Sequence, residues 1–518
     1  MTATLAIDLG TGSCRAILFD LDGHQLAVAQ REWSHAELPG YPGSQVFDTA
    51  GNWTLISACI RDVLTRAGLA AGDVAAVSAT SMREGIVLFD AAGREIWACP
   101  NVDSRAVDEA AQLVRSGAAT TIYDTSGDWV AITSPARLLW IIAHEPEVRR
   151  QVAHVTMLSD WVLARLSGEY ATDPSCGSSS GLFDLAARTW SRALIELCEF
   201  PPDVFPPVRE PGTVLGGVTP TAAADTGLLA GTPVVVGGAD TQLGLLGIGV
   251  ADPGRVTIVG GSFWQTTVVA DSPLIDPQRR LRTLCHVVPG QWMVEGIGFY
   301  SGLTMRWYRD AFCELEKERA AARGVDPYVV MEEAAAAVPP GSDGVMGVFS
   351  NVMDAKRWVH ASPSLVGFNV DAPGRSNRVA AIRAIEESAA YVARSHLAII
   401  EELTDTRTTE VVFTGGSAKG TLWPQVIADV LGVPVHIPEV KESTALGAAI
   451  CAAAGAGLVA DPVTGARRVA RFERTVMPDP AAHAIYTALH ARWLEVYARQ
   501  LDISEAGLLR PLWRAAGT

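Results

Sequence analysis

The sequence predicts an α/β fold in two domains, and three observations carry the prediction. Strand-like and helical runs alternate along the whole chain, a hairpin built on a glycine turn opens each half, and 518 residues exceed what one hydrophobic core organises. With 48% hydrophobic and 19% charged residues the chain can fill such cores, which excludes a disordered polymer.

Residues 5–8 form a short apolar strand, Gly10, Thr11, Gly12 and Ser13 a turn, and residues 16–20 a second strand closed by Asp22 and Gly23. The design recurs near the middle, with a strand at 255–259, a turn at Gly260, Gly261 and Ser262, and a strand at 263–270. Two hairpins of one pattern predict a duplicated architecture. Between them, strands at 74–78 and 85–89 alternate with helices at 53–67 and 136–143. A helix at 380–402, a strand at 410–414 and a helix at 422–431 continue the alternation. Gly247, Gly249, Pro253 and Gly254 cluster at the boundary, giving domains 1–250 and 251–518. Residues 445–460 are uncharged, rich in Ala and Gly and shorter than a membrane span, so they predict a buried, closely packed helix.

A net charge of -16 argues against nucleic-acid or anionic-membrane partners, which require a basic surface. Eight cysteines stand singly with no CxxC pair, the pattern of reduced thiols in a cytoplasmic protein. The first ten residues lack a basic segment followed by an apolar stretch, so no signal peptide is expected.

The motif inventory excludes several chemistries. Arg15 stands where a dinucleotide-binding GxGxxG needs its third glycine, and a strand follows instead of a helix. No Gly-Lys dipeptide exists, so there is no Walker A loop, and HExxH is also missing. Two glycine turns remain that can bring backbone N–H groups to phosphate oxygens, or serve as ordinary hairpin turns. Asp8, just before the first turn, is suited to a magnesium ion held through water. Asp240 ends an apolar strand, where a carboxylate can act as general base or simply cap the next helix. Gly415 and Gly416 after a strand admit a flat ring or a phosphate, or make a tight turn. Arg83 and Glu84 place a donor fork beside an acceptor, suited to polyol hydroxyls or to a surface ion pair.

Taken in order, residues 6–15, Arg83-Glu84, residues 101–106, Gly238-Ala239-Asp240, Gly260-Gly261-Ser262 and Gly415-Gly416-Ser417 resemble the FGGY carbohydrate kinases, and that order spans nearly the whole chain. Longer stretches at 81–87, 96–103, 261–265, 302–313 and 338–342 resemble, within that family, the autoinducer-2 kinases. The resemblance implies two actin-like (ribonuclease H-like) domains with a ligand cleft between them and ATP and Mg2+ as cofactors. It implies phosphoryl transfer to the terminal (C5) hydroxyl of 4,5-dihydroxypentane-2,3-dione, the linear form of the quorum-sensing signal autoinducer-2. By the same resemblance Asp240 is the catalytic base and shares substrate binding with Arg83 and Glu84. Thr11, Gly12, Ser13 and Arg15 match the first phosphate loop, Gly260, Gly261 and Ser262 the second, and Gly415, Gly416 and Ser417 the adenosine site. Asp8 and Asp240 are the implied magnesium residues.

The chain departs from the family pattern twice. Gly261 replaces a frequent Thr in the second phosphate loop, leaving backbone or Ser262 to contact the terminal phosphate, and Arg137 replaces a frequent Lys with charge retained. A pentulose or polyol kinase is the alternative within the class, and a non-catalytic ATP-dependent sensor on the same fold the alternative outside it. A monomer or homodimer acting on a small molecule, without nucleic acid or membrane, is the expected assembly.

Overall fold

Both predicted hairpins form, and each seeds a sheet. The structure, a computed structural model, describes residues 2–131, 133–353 and 357–514. In the first sheet Ala3–Leu9 pairs antiparallel with Ser13–Phe19, which pairs antiparallel with Gln25–Glu32. On its other side Ala3–Leu9 runs parallel to Val74–Ser81, and that strand runs parallel to Pro233–Ala239. The second sheet repeats this order and direction: Val256–Gly260, Trp264–Ala270 and Trp292–Gly298 form the antiparallel run, and Val411–Thr414 and Val435–Pro438 the parallel extension. The duplication read from two glycine turns therefore extends to five strands per lobe.

Parallel strands covered on both faces demand near-continuous apolar sequence. Ala3–Leu9 is buried at every position, and Asp8, its one acid, sits near the end where the chain turns. Helix Thr49–Ala67 flanks this sheet, started by the Asp48 carboxylate on the Gly51 N–H and ended by Gly68 at φ 63°. Helix Arg378–Thr404, begun by Asn377, packs against the second sheet.

The Ala/Gly-rich segment is helix Ser443–Gly455, shorter at its end than the sequence suggests. It belongs to the second half of the chain but packs on strands Ala3–Leu9, Val74–Ser81 and Pro233–Ala239 of the first sheet. There it crosses helix Asp240–Gly247. Leu243 and Leu246 of that helix face Ala445, Leu446 and Ala449, while Leu245 turns to Val269, Leu284 and Val412 of the second sheet. The crossing is made by backbone. A Cβ on Gly447 would stand 2.0 Å from the Leu243 carbonyl oxygen, and one on Gly247 2.0 Å from that of Ser443. Among the described residues no helix is long and apolar enough to cross a membrane.

Gly447→Ala must push these helices apart. We expect it to lower the unfolding free energy by about 1–3 kcal/mol, the usual range for overpacking, measured by urea denaturation. Wild-type stability would show that the helices do not cross at backbone distance.

Candidate active site

Three glycine turns and one strand-end aspartate converge where the two lobes meet. In the first turn the Gly10 N–H donates to the Ser13 carbonyl at 2.9 Å, and Trp33 Nε1 donates to the Thr11 carbonyl at 3.0 Å. Thr11 Oγ1 donates to Asn101 Oδ1 at 3.2 Å, and a Cβ on Gly12 would meet open space. The second and third turns lie backbone against backbone: Gly415 has φ +94°, and a Cβ there would stand 2.7 Å from the Gly260 carbonyl oxygen. Glycine is required at Gly415 on both grounds. Gly260, Gly261, Ser262, Gly416 and Ser417 line one cavity of about 630 Å³, and Arg15, Gly415 and Gly416 share a second of about 290 Å³.

Arg15 bridges the lobes, with Nη2 2.5 Å from Asp8 Oδ2 and Nη1 2.5 Å from Glu442 Oε2. Burial pushes the Asp8 carboxyl upward, opposed by that guanidinium. Glu442 immediately precedes the crossing helix, whose Thr444 Oγ1 donates to the Asp240 carbonyl at 3.3 Å. The phosphate-loop arginine and the strand-end aspartate are thus tied to one short segment.

Asp240 is the first residue of helix Asp240–Gly247, and Ala239 holds the cap position. Its Oδ1 accepts from the Thr241 N–H at 2.7 Å, so the carboxylate binds its own first turn. Withdrawal from water pushes its carboxyl up to about 6; Arg83, with Nε 3.9 Å from Oδ1, pulls it down, and Glu84 and Asp8 add to the rise. An acid so placed is ionised at neutral pH yet basic enough to take a proton.

Around it stands a buried set of charges. Arg83 Nη1 donates to Glu295 Oε2 at 3.0 Å, and Arg282 Nη2 donates to Glu84 Oε1 at 2.8 Å and lies 3.1 Å from Asp128 Oδ2. Arg282 and Glu295 are register partners on neighbouring strands of the second sheet, whereas Arg83 and Glu84 follow strand Val74–Ser81 of the first. The two pairs interlock, each arginine answering the other lobe's glutamate. Asp240, with its side chain 39% exposed, is the member a ligand reaches most readily; the other five are at most 8% exposed. The surface ion pair considered for Arg83 and Glu84 is therefore wrong: both are buried, and their own side chains are 4.0 Å apart.

Glu84 sits at φ 65°, an uncommon conformation for a side chain with a Cβ. Arg137 holds it there, donating to the Glu84 carbonyl and, at 3.0 Å each, to those of Asn101 and Asp103. The Arg-for-Lys departure is thus a three-way clamp that joins two of the motif segments. Sequence reasoning missed Arg282, Glu295 and Asp128. The available signal was a charge in an apolar strand: Arg282 opens strand 282–285 and Glu295 stands inside strand 292–298.

Among the described residues no cluster of three or more His, Cys, Asp or Glu could cage a metal. Asp8 and Asp240 offer hard oxygen donors, which fits magnesium, an ion that keeps waters and shares phosphate oxygens instead of taking an all-protein cage.

A family model described as the FGGY family of carbohydrate kinases, N-terminal domain, matches residues 3–247, and its C-terminal counterpart matches residues 264–456. The chain belongs to the FGGY family of carbohydrate kinases. Two curated relatives, from Yersinia enterocolitica and Escherichia coli, are both named autoinducer-2 kinase. Each is 46% identical over 516 residues, covering 99% of this chain and 97% of its own. The crystal structure of xylulose kinase from Rhodospirillum rubrum superposes with a TM-score of 0.84 at 28% identity, over 97% of this chain and 99% of that one. The two α/β lobes of this FGGY kinase are accordingly those of solved carbohydrate kinases.

Glu295→Ala would leave Arg83 buried without its nearest carboxylate. We expect a loss of about 3–5 kcal/mol of unfolding free energy, the range for breaking one side of a buried pair, read by chemical denaturation. A loss of no more than about 1 kcal/mol would place the pair in solvent-like surroundings.

Proposed function

We propose that this kinase transfers the γ-phosphoryl group of ATP to the terminal (C5) hydroxyl of linear 4,5-dihydroxypentane-2,3-dione. The observation that carries the reading is likeness over nearly full length to two relatives named autoinducer-2 kinase. The site supports it: a carboxylate of suitable basicity stands between the Arg83-Glu84 dipeptide and the glycine turns.

In this reading the backbone of residues 11–13 and 260–262 orients the phosphates, and Arg15 turns from Asp8 and Glu442 toward them. Glu84 accepts from substrate hydroxyls and Arg83 donates to substrate oxygens, fixing the chain of the dione so that its terminal oxygen faces the γ-phosphorus. Asp240 takes the hydroxyl proton as that oxygen attacks. Mg2+, held through water by Asp8 and Asp240, would neutralise phosphate oxygens and supply charge stabilisation. The lobes on either side exclude water that would otherwise compete as acceptor. A monomer or homodimer in the cytoplasm fits this chemistry.

ADP release across a panel of dihydroxypentanedione, xylulose, ribulose, erythritol and glycerol tests the substrate. We expect the highest kcat/KM for the dione; preference for a pentulose would overturn the assignment, and no hydroxyl-dependent ADP at all would favour a sensor.

The base assignment has its own test in pH. Because Asp240 must be ionised to accept a proton, kcat/KM should be flat above pH 7 and fall as pH drops through about 6. Asp240→Asn should cut kcat by about 10²–10⁴ with ATP affinity unchanged. The carboxyl is raised above its ordinary 3.8, so the folded state binds more protons than the unfolded one between those values. Stability therefore falls as pH rises through that window, and at pH 7 the Asn variant should melt no lower than wild type. Near-normal kcat in that variant sinks the assignment.

A further inference from the structure

The 630 Å³ cavity is lined both by the glycine turns, through Gly261 and Gly416, and by the apolar side chains Met305, Ile382 and Trp423. Three carboxyl groups, Asp326, Glu332 and Glu386, also line it. That volume suits a nucleoside-sized ligand.

Glu386 is anomalous among these residues. It is 1% exposed, and its Oε2 has no hydrogen-bond partner among the described residues. Its sequence neighbour shows what a purely structural buried glutamate looks like on the same helix. Glu387 accepts from the Gly341 N–H at 2.9 Å, Ser342 Oγ at 2.8 Å, Tyr486 Oη at 2.9 Å and Arg383 Nε at 3.1 Å. Glu386 has no such set, and it lines the cavity. Trp423 Nε1, a donor on another cavity-lining residue, is also buried without a partner among the described residues. Native proteins rarely leave buried polar atoms unpaired unless water or a ligand completes them.

Burial pushes the Glu386 carboxyl well upward, Glu332 and Glu387 nearby add to the rise, and Arg383 opposes it. A neutral carboxylic acid carries one O–H donor and one carbonyl acceptor side by side, the pattern of a glutamine amide. That pattern matches the edge of adenine, whose 6-amino group donates beside the N7 acceptor; guanine offers two acceptors on the same edge, O6 and N7.

We propose that Glu386 is the residue that selects adenine in the nucleotide donor, accepting from the 6-amino group and donating to the ring nitrogen beside it. Trp423 Nε1 supplies a further donor to the base. The inference deepens the kinase reading by naming how its phosphoryl donor is chosen, and it rests on that reading for the place of ATP.

The test is equilibrium binding of non-hydrolysable ATP and GTP analogues by calorimetry, on the full chain without acceptor substrate, so that an error about the acceptor leaves it intact. Glu386→Gln keeps one acceptor and one donor and should bind the ATP analogue as wild type does. Glu386→Leu should weaken the ATP analogue by about 5–100-fold, the range for losing a bidentate base contact, while leaving the weaker GTP analogue unchanged. It should also melt at or above the wild-type temperature, because it removes an unpartnered buried polar group. Loss of binding with retained or higher Tm is a combination that a structural glutamate does not give. The proposal is overturned if the Leu variant binds the ATP analogue normally, if both analogues weaken equally, or if the Gln variant fares no better than Leu. Wild-type protein that binds neither analogue would instead sink the kinase reading itself.

Discussion

Arg83 and Glu84 lie on one side of the molecule, Arg282 and Glu295 on the other, and each arginine finds its close carboxylate across the gap. Within one lobe the arginine and glutamate stand farther apart, 4.0 Å for Arg83 and Glu84 and 3.7 Å for Arg282 and Glu295, so the close pairing that a buried ion needs is made only when both lobes are present. The pairs therefore fix the lobes relative to one another and, in the same act, set the rotamers of the dipeptide beside Asp240. Asp128 draws on the same Arg282, and burial pushes its carboxyl up to about 6 with that guanidinium opposing. The cluster holds more carboxylates than guanidiniums, so it attracts protons and donor hydrogens in preference to anions.

The phosphate side is organised by absence of side chains. Gly260 and Gly415 touch through backbone, and a Cβ on Gly302 would stand 2.0 Å from the Gly261 carbonyl oxygen. The Ser262 carbonyl accepts from the Gly302 and Leu303 N–H groups, which joins the second turn to the start of helix Ser301–Phe312. Three loops from distant parts of the chain are thus pressed into one surface of backbone groups, next to a cavity whose lining includes Glu386.

Much of this was legible in the sequence because it is local. Glycine turns between apolar runs announced both hairpins, and helix Leu422–Leu431 falls where its periodicity places it. Strand Val74–Ser81 runs three residues beyond its predicted end because Ala79, Thr80 and Ser81 are small enough for a strand covered on both faces. Arg83, Glu84 and Asp240 were recognisable as an ordered set, and the structure brings them together. Arg282 and Glu295 were not, since their meaning lies in contacts made 198 and 212 residues away. Nor does any local pattern distinguish Glu386 from Glu387, adjacent acids on one helix with opposite surroundings.

Helix Ser443–Gly455 completes the core under the first sheet although it is encoded some way into the second half. Synthesis runs from the N-terminus, and domains usually fold as units while the chain emerges. Here the opening strands reach the exit of the ribosome long before the helix that covers them. Ala6 and Ile17, which pack against it in the finished protein, stay uncovered until residue 455 has been made. The core of the first lobe is consequently closed by a segment of the second half of the chain, and neither half completes that core without the other.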